Sequence, residues 1–372
     1  MVRTAFIPAG GRADAMPSKT ATEWVERAEM LLDLRTLEQA RTAFDIAEAA
    51  GAEADRCCGG RWHAAMLGGD FEAAWRESDA IRARGVADAN RFWTGQPLRG
   101  AHVIVRCLHG LGDAVQMLRY APLLHQIASG VVFELPPRLL PLAPSFRGMG
   151  HVISWDSHAS RAHPRWDVQV EVTELPYVFR TTVTELPVAT RYIDLPPECI
   201  QSAAAAMEAQ MTSGTSDRPR IGYVWAAGEW NRNRSVPFAI FESLLRTRFV
   251  EHWSLQGGPA AEEARDWVET GKMRNATAIC GDGLLALAAA IANLDLVITV
   301  DTLAAHLAGA LGKPTWLLLQ YAADWRWMTG RTDSPWYPEM RLFRQPSPGN
   351  WQAIIGAVRD AIECGDFCER TA

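Results

Sequence analysis

The chain has 372 residues, about two and a half times a common domain of roughly 150 residues, so two or three domains are expected. Hydrophobic residues make up 48% and charged residues 22%, enough apolar material for sizeable cores, which excludes intrinsic disorder for most of the chain. Lys and Arg number 37 against 43 Asp and Glu, a net charge of −6; this argues against a general nucleic-acid binder while leaving room for a local basic pocket.

Residues 1–20 lack the apolar run of a secretory leader and are expected to form a flexible tail. Over residues 21–90 the sequence repeats at an offset of 34 residues: Ala28 falls on Trp62, Leu32 on Met66, Leu37 on Phe71 and Gly51 on Gly85. A helix–turn–helix repeat of that period has tetratricopeptide character. Helices are predicted over Thr22–Leu34, Leu37–Ala50, Ala54–Leu67 and Phe71–Arg84, with Asp70 as an N-cap and Gly51 and Gly85 closing helices. Two repeats are fewer than the three or so that stand alone. They are expected to dock on the next domain, on another subunit or on a protein partner; an ordinary pair of helical hairpins with no binding role fits the same pattern.

From residue 91 strands alternate with helices, the pattern of a parallel sheet covered on both faces. Strands are predicted over His102–Cys107, Val131–Glu134, Val152–Trp155 and Val168–Val172, with a helix over Ala114–Leu124. A Ser/Thr/Gly/Pro-rich break at 207–220 reads as a linker between this first unit (91–206) and a second (221–345). The second unit predicts strands at Ile221–Trp225, His252–Gln256, Ala276–Cys280, Leu296–Val300 and Thr315–Gln320, and helices at Phe238–Leu245, Ala260–Glu269, Leu284–Asn293 and Leu303–Leu311. A helix over Trp351–Glu363 belongs to a final segment, 346–372. The fold class is therefore α/β: two Rossmann-like domains facing a cleft, with the site at strand C-termini, preceded by a short α-helical region. The longest apolar stretch, Leu284 to Val300, is broken by Asn293 and Asp295 and reads as helix then strand, not as a membrane span. Seven scattered cysteines fit reduced thiols in a cytoplasm.

Four constellations carry candidate chemistry. Gly110 and Gly112 sit in a strand-to-helix turn that ends in Asp113. The glycines permit a tight turn and close approach of a ligand. A carboxylate there would repel a pyrophosphate, so Asp113 reads either as a general base, its ionised form favoured by the helix start, or as a cap. A dinucleotide reading lacks its third glycine, Val115 standing in that place, though Glu134 ends the next strand where a ribose-binding acid would sit. The second is Asp301-Thr302 at the end of a buried strand, with His306 one turn into the following helix, suited to phosphate oxygens and sugar hydroxyls. The third is Arg234 in the turn after IGYVW, a candidate to neutralise a diphosphate; Glu262 or Glu263 after the next strand would suit ribose hydroxyls or a plain acidic helix start. The fourth is the aromatic loop 321–343, in which Trp325 and Trp327 stack on a sugar or base, or fill gaps between domains. There is no Asp-x-Asp, no His/Cys set with metal spacing and no P-loop, so no metal or cofactor is expected.

In combination these blocks resemble glycosyltransferase family 9, the group of the ADP-heptose:lipopolysaccharide heptosyltransferases, in a tetratricopeptide-linked form. The resemblance runs over about 93–363. It rests on Trp93-Thr94-Gly95, HGLGDAVQMLRYAPLL (109–124), IGYVWAAG (221–228), NRSVP (233–237), SLQGG (254–258), LDLVITVDTLAAHLAGALGKPTWLLL (294–319) and DWRWMTGRTDSPWYPEMRLFRQ (324–345). It implies a glycosyltransferase-B fold and inverting, metal-independent transfer from a nucleotide-diphosphate sugar to a saccharide or protein acceptor. By matching positions, Asp113 would be the catalytic aspartate, and Arg234, Asp301, Thr302 and His306, with Glu262 or Glu263, the donor site. The chain departs from the family where Leu303 replaces the glycine after Asp-Thr and where the loop 226–235 is short. The rival readings are a nucleotide-sugar epimerase or NAD enzyme, and a non-catalytic repeat-containing scaffold.

Overall fold

The structure, a computed structural model, describes residues 20–85, 92–156, 165–187, 190–210 and 218–366. The tail up to residue 19, residues 211–217 of the 207–220 break and Cys368 lie outside the described residues.

Four helices open the chain: α1 (Ala21–Asp33), α2 (Leu37–Ala49), α3 (Ala54–Gly68) and α4 (Phe71–Ala83), each packed on the next. Their starts and stops follow local chemistry. Thr20 and Glu23 form a reciprocal capping box on α1, and Asp70 caps α4 by accepting from Ala73 N at 3.0 Å, satisfying donors that a helix start leaves unpaired. Gly51 and Gly85 take φ of 94° and 68° just beyond α2 and α4, the left-handed geometry that glycine tolerates. Val25, Leu32, Phe44 and Leu67 form a small core of their own. The face carrying Phe71, Ala74 and Trp75 instead joins the main core. The helices thus dock on the rest of this chain. Trp75 Nε1 donates to Thr181 O at 2.7 Å and Thr329 N to Leu67 O at 2.8 Å.

The first sheet contains β1 (His102–Arg106), β2 (Gly130–Leu135), β3 (His151–Ser154) and β4 (Val168–Glu171), all parallel in the order β3-β2-β1-β4. Between β1 and β2 the expected single helix is two: α5 (Leu111–Met117) and α6 (Ala121–Ile127), separated by a 3-10 turn. Pro122, at the start of α6, has no N–H to continue α5, and that splits the helix. After β4 come α7 (Leu175–Val178) and α8 (Pro197–Glu208). The latter, not foreseen, packs on helices of the second sheet, where Asn293 Nδ2 donates to Ile200 O at 3.0 Å.

The second unit holds β5 (Arg220–Val224), α9 (Phe238–Phe241), β6 (Glu251–Ser254), α10 (Arg265–Glu269), β7 (Arg274–Asn275), α11 (Ala276–Cys280), α12 (Leu284–Ala292), β8 (Leu296–Val300), α13 (Leu303–Ala310), β9 (Thr315–Leu319), β10 (Met340–Arg344) and α14 (Trp351–Glu363). Its six strands run β10-β9-β8-β5-β6-β7, all parallel. One expectation fails outright. Ala276–Cys280 is a helix, because Asn275 caps it by accepting from Ala278 N at 3.1 Å; the strand is the two-residue β7 just before it. β10 begins inside the stretch 321–343 read from sequence as an aromatic loop and ends one residue beyond it. Strands β8 and β9 are buried along their whole length, as expected of strands covered on both faces. In each sheet the strand order reverses beside the first strand, at β1/β4 and at β5/β8. Such switch points leave a crevice at the strand C-termini where ligands bind.

Candidate functional site

A cleft of about 1030 Å³ lies at these two switch points. Gly110, Gly112 and Asp113 line it from the turn after β1, Arg234 from the loop after β5, and Asp301, Thr302 and His306 from the end of β8 and the start of α13. Seven of the residues singled out from sequence therefore share one cavity. Glu262, Glu263, Trp325 and Trp327 are not among its lining residues. Glu262 pairs with Arg265 on its own turn, and Glu263 accepts from Trp225 Nε1 at 2.8 Å across 38 residues. Trp327 is fully buried and stacks on His306, ring centroids 5.5 Å apart. Trp325 meets Trp62 edge-on at 5.7 Å, and so belongs to the contact between the helical region and the body.

Asp113 occupies the third position of α5 and does what a cap does: its Oδ2 accepts from Gly110 N at 3.1 Å. Its other oxygen accepts from Arg326 Nη2 at 2.6 Å. Sequence reasoning passed over Arg326 between two tryptophans. This nearly buried guanidinium also donates to Asp324 Oδ1 (2.9 Å) and Gln116 Oε1 (2.8 Å). Burial works against its charge, but Asp324 and Asp113 more than offset that and hold its pKa above the ordinary value.

Arg234 crosses from the β5 loop to donate to Asp301 O at 2.8 Å, which fixes its guanidinium at the strand end beside α13. That loop is itself clamped from β6: Gln256 Oε1 accepts from Trp225 N (3.1 Å) and Ala226 N (2.9 Å). Burial and the nearby charge of Asp324 push the Asp301 carboxyl up to about 6. Thr302 is the N-cap of α13 but makes no side-chain cap bond; its hydroxyl lies 3.3 Å from that of Thr299. With Leu303 and Ala304 it presents the helix start to the cleft, a place where backbone N–H groups and the helix dipole favour anions.

His306 is more enclosed than its position suggested. Its Nδ1 lies 2.9 Å from Tyr337 Oη, and a Cβ on Gly112 would stand 2.7 Å from its Cδ2. Gly112 is thus required for space between α5 and α13, at ordinary φ. Burial, aided by Arg326 and Arg119, pushes the imidazole down to about 3, so it is neutral at physiological pH. Glu134, the candidate ribose acid of the dinucleotide reading, is buried and pairs with Arg106 on the neighbouring strand at 2.6 Å. Among the described residues no group of three or more His, Cys, Asp and Glu side chains could hold a metal ion, and no helix is long and apolar enough to cross a membrane.

The sequence model of glycosyltransferase family 9 (heptosyltransferase) matches residues 144–329, half of the chain. The chain belongs to glycosyltransferase family 9. Protein FlbA of Caulobacter vibrioides is 27% identical to it over 320 residues, covering 77% of this chain and 52% of FlbA; the chain thus spans about half the length of that curated relative. Among solved structures, the E. coli ADP-heptose LPS heptosyltransferase II superposes with a TM-score of 0.50 at 13% identity, over 70% of this chain and 99% of that one. A family 9 glycosyltransferase of Veillonella parvula superposes with a TM-score of 0.48 at 14% identity, over 76% of this chain and 92% of its own. The fold is accordingly of the glycosyltransferase-B type, two parallel-sheet units about a cleft, with the helical region added in front of the family body.

Proposed function

We propose that this chain transfers a sugar from a nucleoside-diphosphate sugar to an acceptor hydroxyl, with inversion at the anomeric carbon and without a metal ion. The observation that carries the reading is the convergence, in one cleft, of Arg234 and the start of α13 from the second sheet with Asp113 from the first. The diphosphate sits against Arg234, Thr302 and the first amides of α13. Asp113 Oδ takes the proton of the acceptor hydroxyl as its oxygen attacks the anomeric carbon. The bond from that carbon to the diphosphate oxygen breaks on the opposite face, and the nucleoside diphosphate leaves with the electron pair. Arg234 and the helix amides stabilise the charge that develops on it, the electrostatic contribution that tends to dominate such steps. Asp301 and His306 hold the strand end and the helix start in place.

The E. coli relative is named for ADP-heptose, so ADP is the first nucleotide to test. Asp113→Asn should abolish transfer to acceptor, a loss of at least about a hundredfold for a removed general base, while nucleoside-diphosphate affinity stays within about threefold. A variant that loses nucleotide affinity, or keeps its transfer rate, would overturn the assignment of Asp113.

A further inference from the structure

A second cavity, of about 240 Å³, opens beside the cleft and shares His109, Asp113 and Arg326 with it. Its far wall is not part of the family body. Trp62 comes from α3, and Trp75 and Ser78 from α4; Glu174, Tyr177 and Trp325 close the other side. The helical region also reaches the main cleft, through Asp33, Arg35 and His63. Arg35 stands at φ 60°, a left-handed conformation that is costly for a side chain with a Cβ. The 34-residue repeat pairs it with Gly69, at φ 80°. Where the second repeat uses glycine, the first keeps an arginine, and its Nη2 donates to Ala323 O at 2.8 Å beside the cleft. The helices therefore complete the site.

We propose that this second cavity is the acceptor subsite and that it receives one pyranose ring of a saccharide acceptor, packed against Trp62 and Trp325 with its attacking hydroxyl at Asp113. The proposal rests on the reading of Asp113 as the base. Two observations select this occupant. The cavity is smaller than the roughly 300–1,000 Å³ of sites for drug-sized ligands, so it takes one ring. Its walls set Trp62, Trp75 and Trp325 beside Ser78, Thr173 and Glu174, a mixed aromatic and polar lining that suits a ligand with an apolar face and a hydroxyl rim. An extended peptide docks along a groove or sheet edge over several residues, a footprint larger than this cavity.

The test is saturation-transfer NMR on the full chain. The probes are the methyl glycosides of glucose, galactose, mannose and N-acetylglucosamine, and a Ser/Thr-containing hexapeptide; ADP, GDP, UDP and dTDP binding is measured on the same samples. At least one glycoside should saturate through its ring protons. Trp62→Ala should weaken it at least tenfold while leaving nucleotide affinity within about twofold. Trp62→Phe, which keeps an aromatic ring but offers less contact area, should weaken it about threefold, and reads the proposal if the alanine variant fails to fold. Absence of any glycoside signal, binding unaffected by either variant, or saturation of the hexapeptide alone would overturn it. Glycoside binding without nucleoside-diphosphate binding would leave this subsite standing and remove the donor reading.

Discussion

Arg326 Nη2 stands 2.6 Å from Asp113 Oδ1, joining residues 213 positions apart. The guanidinium comes from the loop after β9 in the second sheet, and the carboxylate from the first turn of α5 in the first. Asp324 shares the same guanidinium at 2.9 Å. The pair ties the two halves of the cleft together and orients the carboxylate proposed as the base.

Removing Arg326 should leave two carboxylates facing each other around a buried space. Loss of one partner from a buried pair costs about 3–5 kcal/mol. Because Asp113 retains some contact with water, Arg326→Met is expected near the low end, about 3 kcal/mol. Urea unfolding of wild type, Arg326→Met and Arg326→Met/Asp113→Asn checks this. The double variant should be more stable than the single one, since it removes a charge left unpaired.

Gly112→Ala should destabilise by about 1–3 kcal/mol, the range for overpacking. The added methyl meets His306 Cδ2 at 2.7 Å, and that ring is pinned by Trp327 and Tyr337. The check is a double-variant cycle with His306→Ala. Once the imidazole is gone the methyl has room, so the two losses should add to less than their sum.

The buried His306 predicts a pH dependence with a defined sign. Folding lowers its pKa from the usual 6.5 to about 3, so the unfolded chain takes up a proton that the folded one refuses. Stability from this residue is present above 6.5 and is lost as pH falls below it. Asp301, pushed up to about 6 by burial and Asp324, acts in the other direction between about 4 and 6, losing stability as pH rises. The difference between wild type and His306→Asn isolates the histidine. The stability advantage of wild type should shrink by about 2 kcal/mol between pH 7 and pH 5, read by urea unfolding at each pH.

Much of the fold is legible in sequence because it rests on local signals. The helix Trp351–Glu363 has an amphipathic stripe and an Asn350 cap, and β8 and β9 are unbroken apolar runs between turns. The 34-residue offset places all four opening helices. What sequence misses depends on distant partners or very short elements. β7 has two residues, too few for any periodicity. α8 is defined by its packing on α11 and α12, and β10 by pairing with β9. Of the residues that line the cleft, the Gly-Gly-Asp turn, Arg234 and the Asp-Thr strand end are legible in sequence because strand-to-helix turns are readable. Arg326 and Trp62 are not, because an arginine between tryptophans and a tryptophan in a helix carry no local sign of what they face. Glu262 and Glu263 do not line the cleft; in sequence an acidic helix start looks the same whether it holds a ribose, an arginine or an indole.

The central claim is that Arg234 and the start of α13 form a diphosphate site. Calorimetric titration of ADP, GDP, UDP and dTDP into wild type and Arg234→Ala tests it most directly. The account predicts that at least one diphosphate binds the wild type and that Arg234→Ala weakens it by about tenfold to a hundredfold, the range for hydrogen bonds to a charged group. Failure of every diphosphate to bind, or equal affinity in the two proteins, would contradict it and favour a scaffold built on a transferase fold.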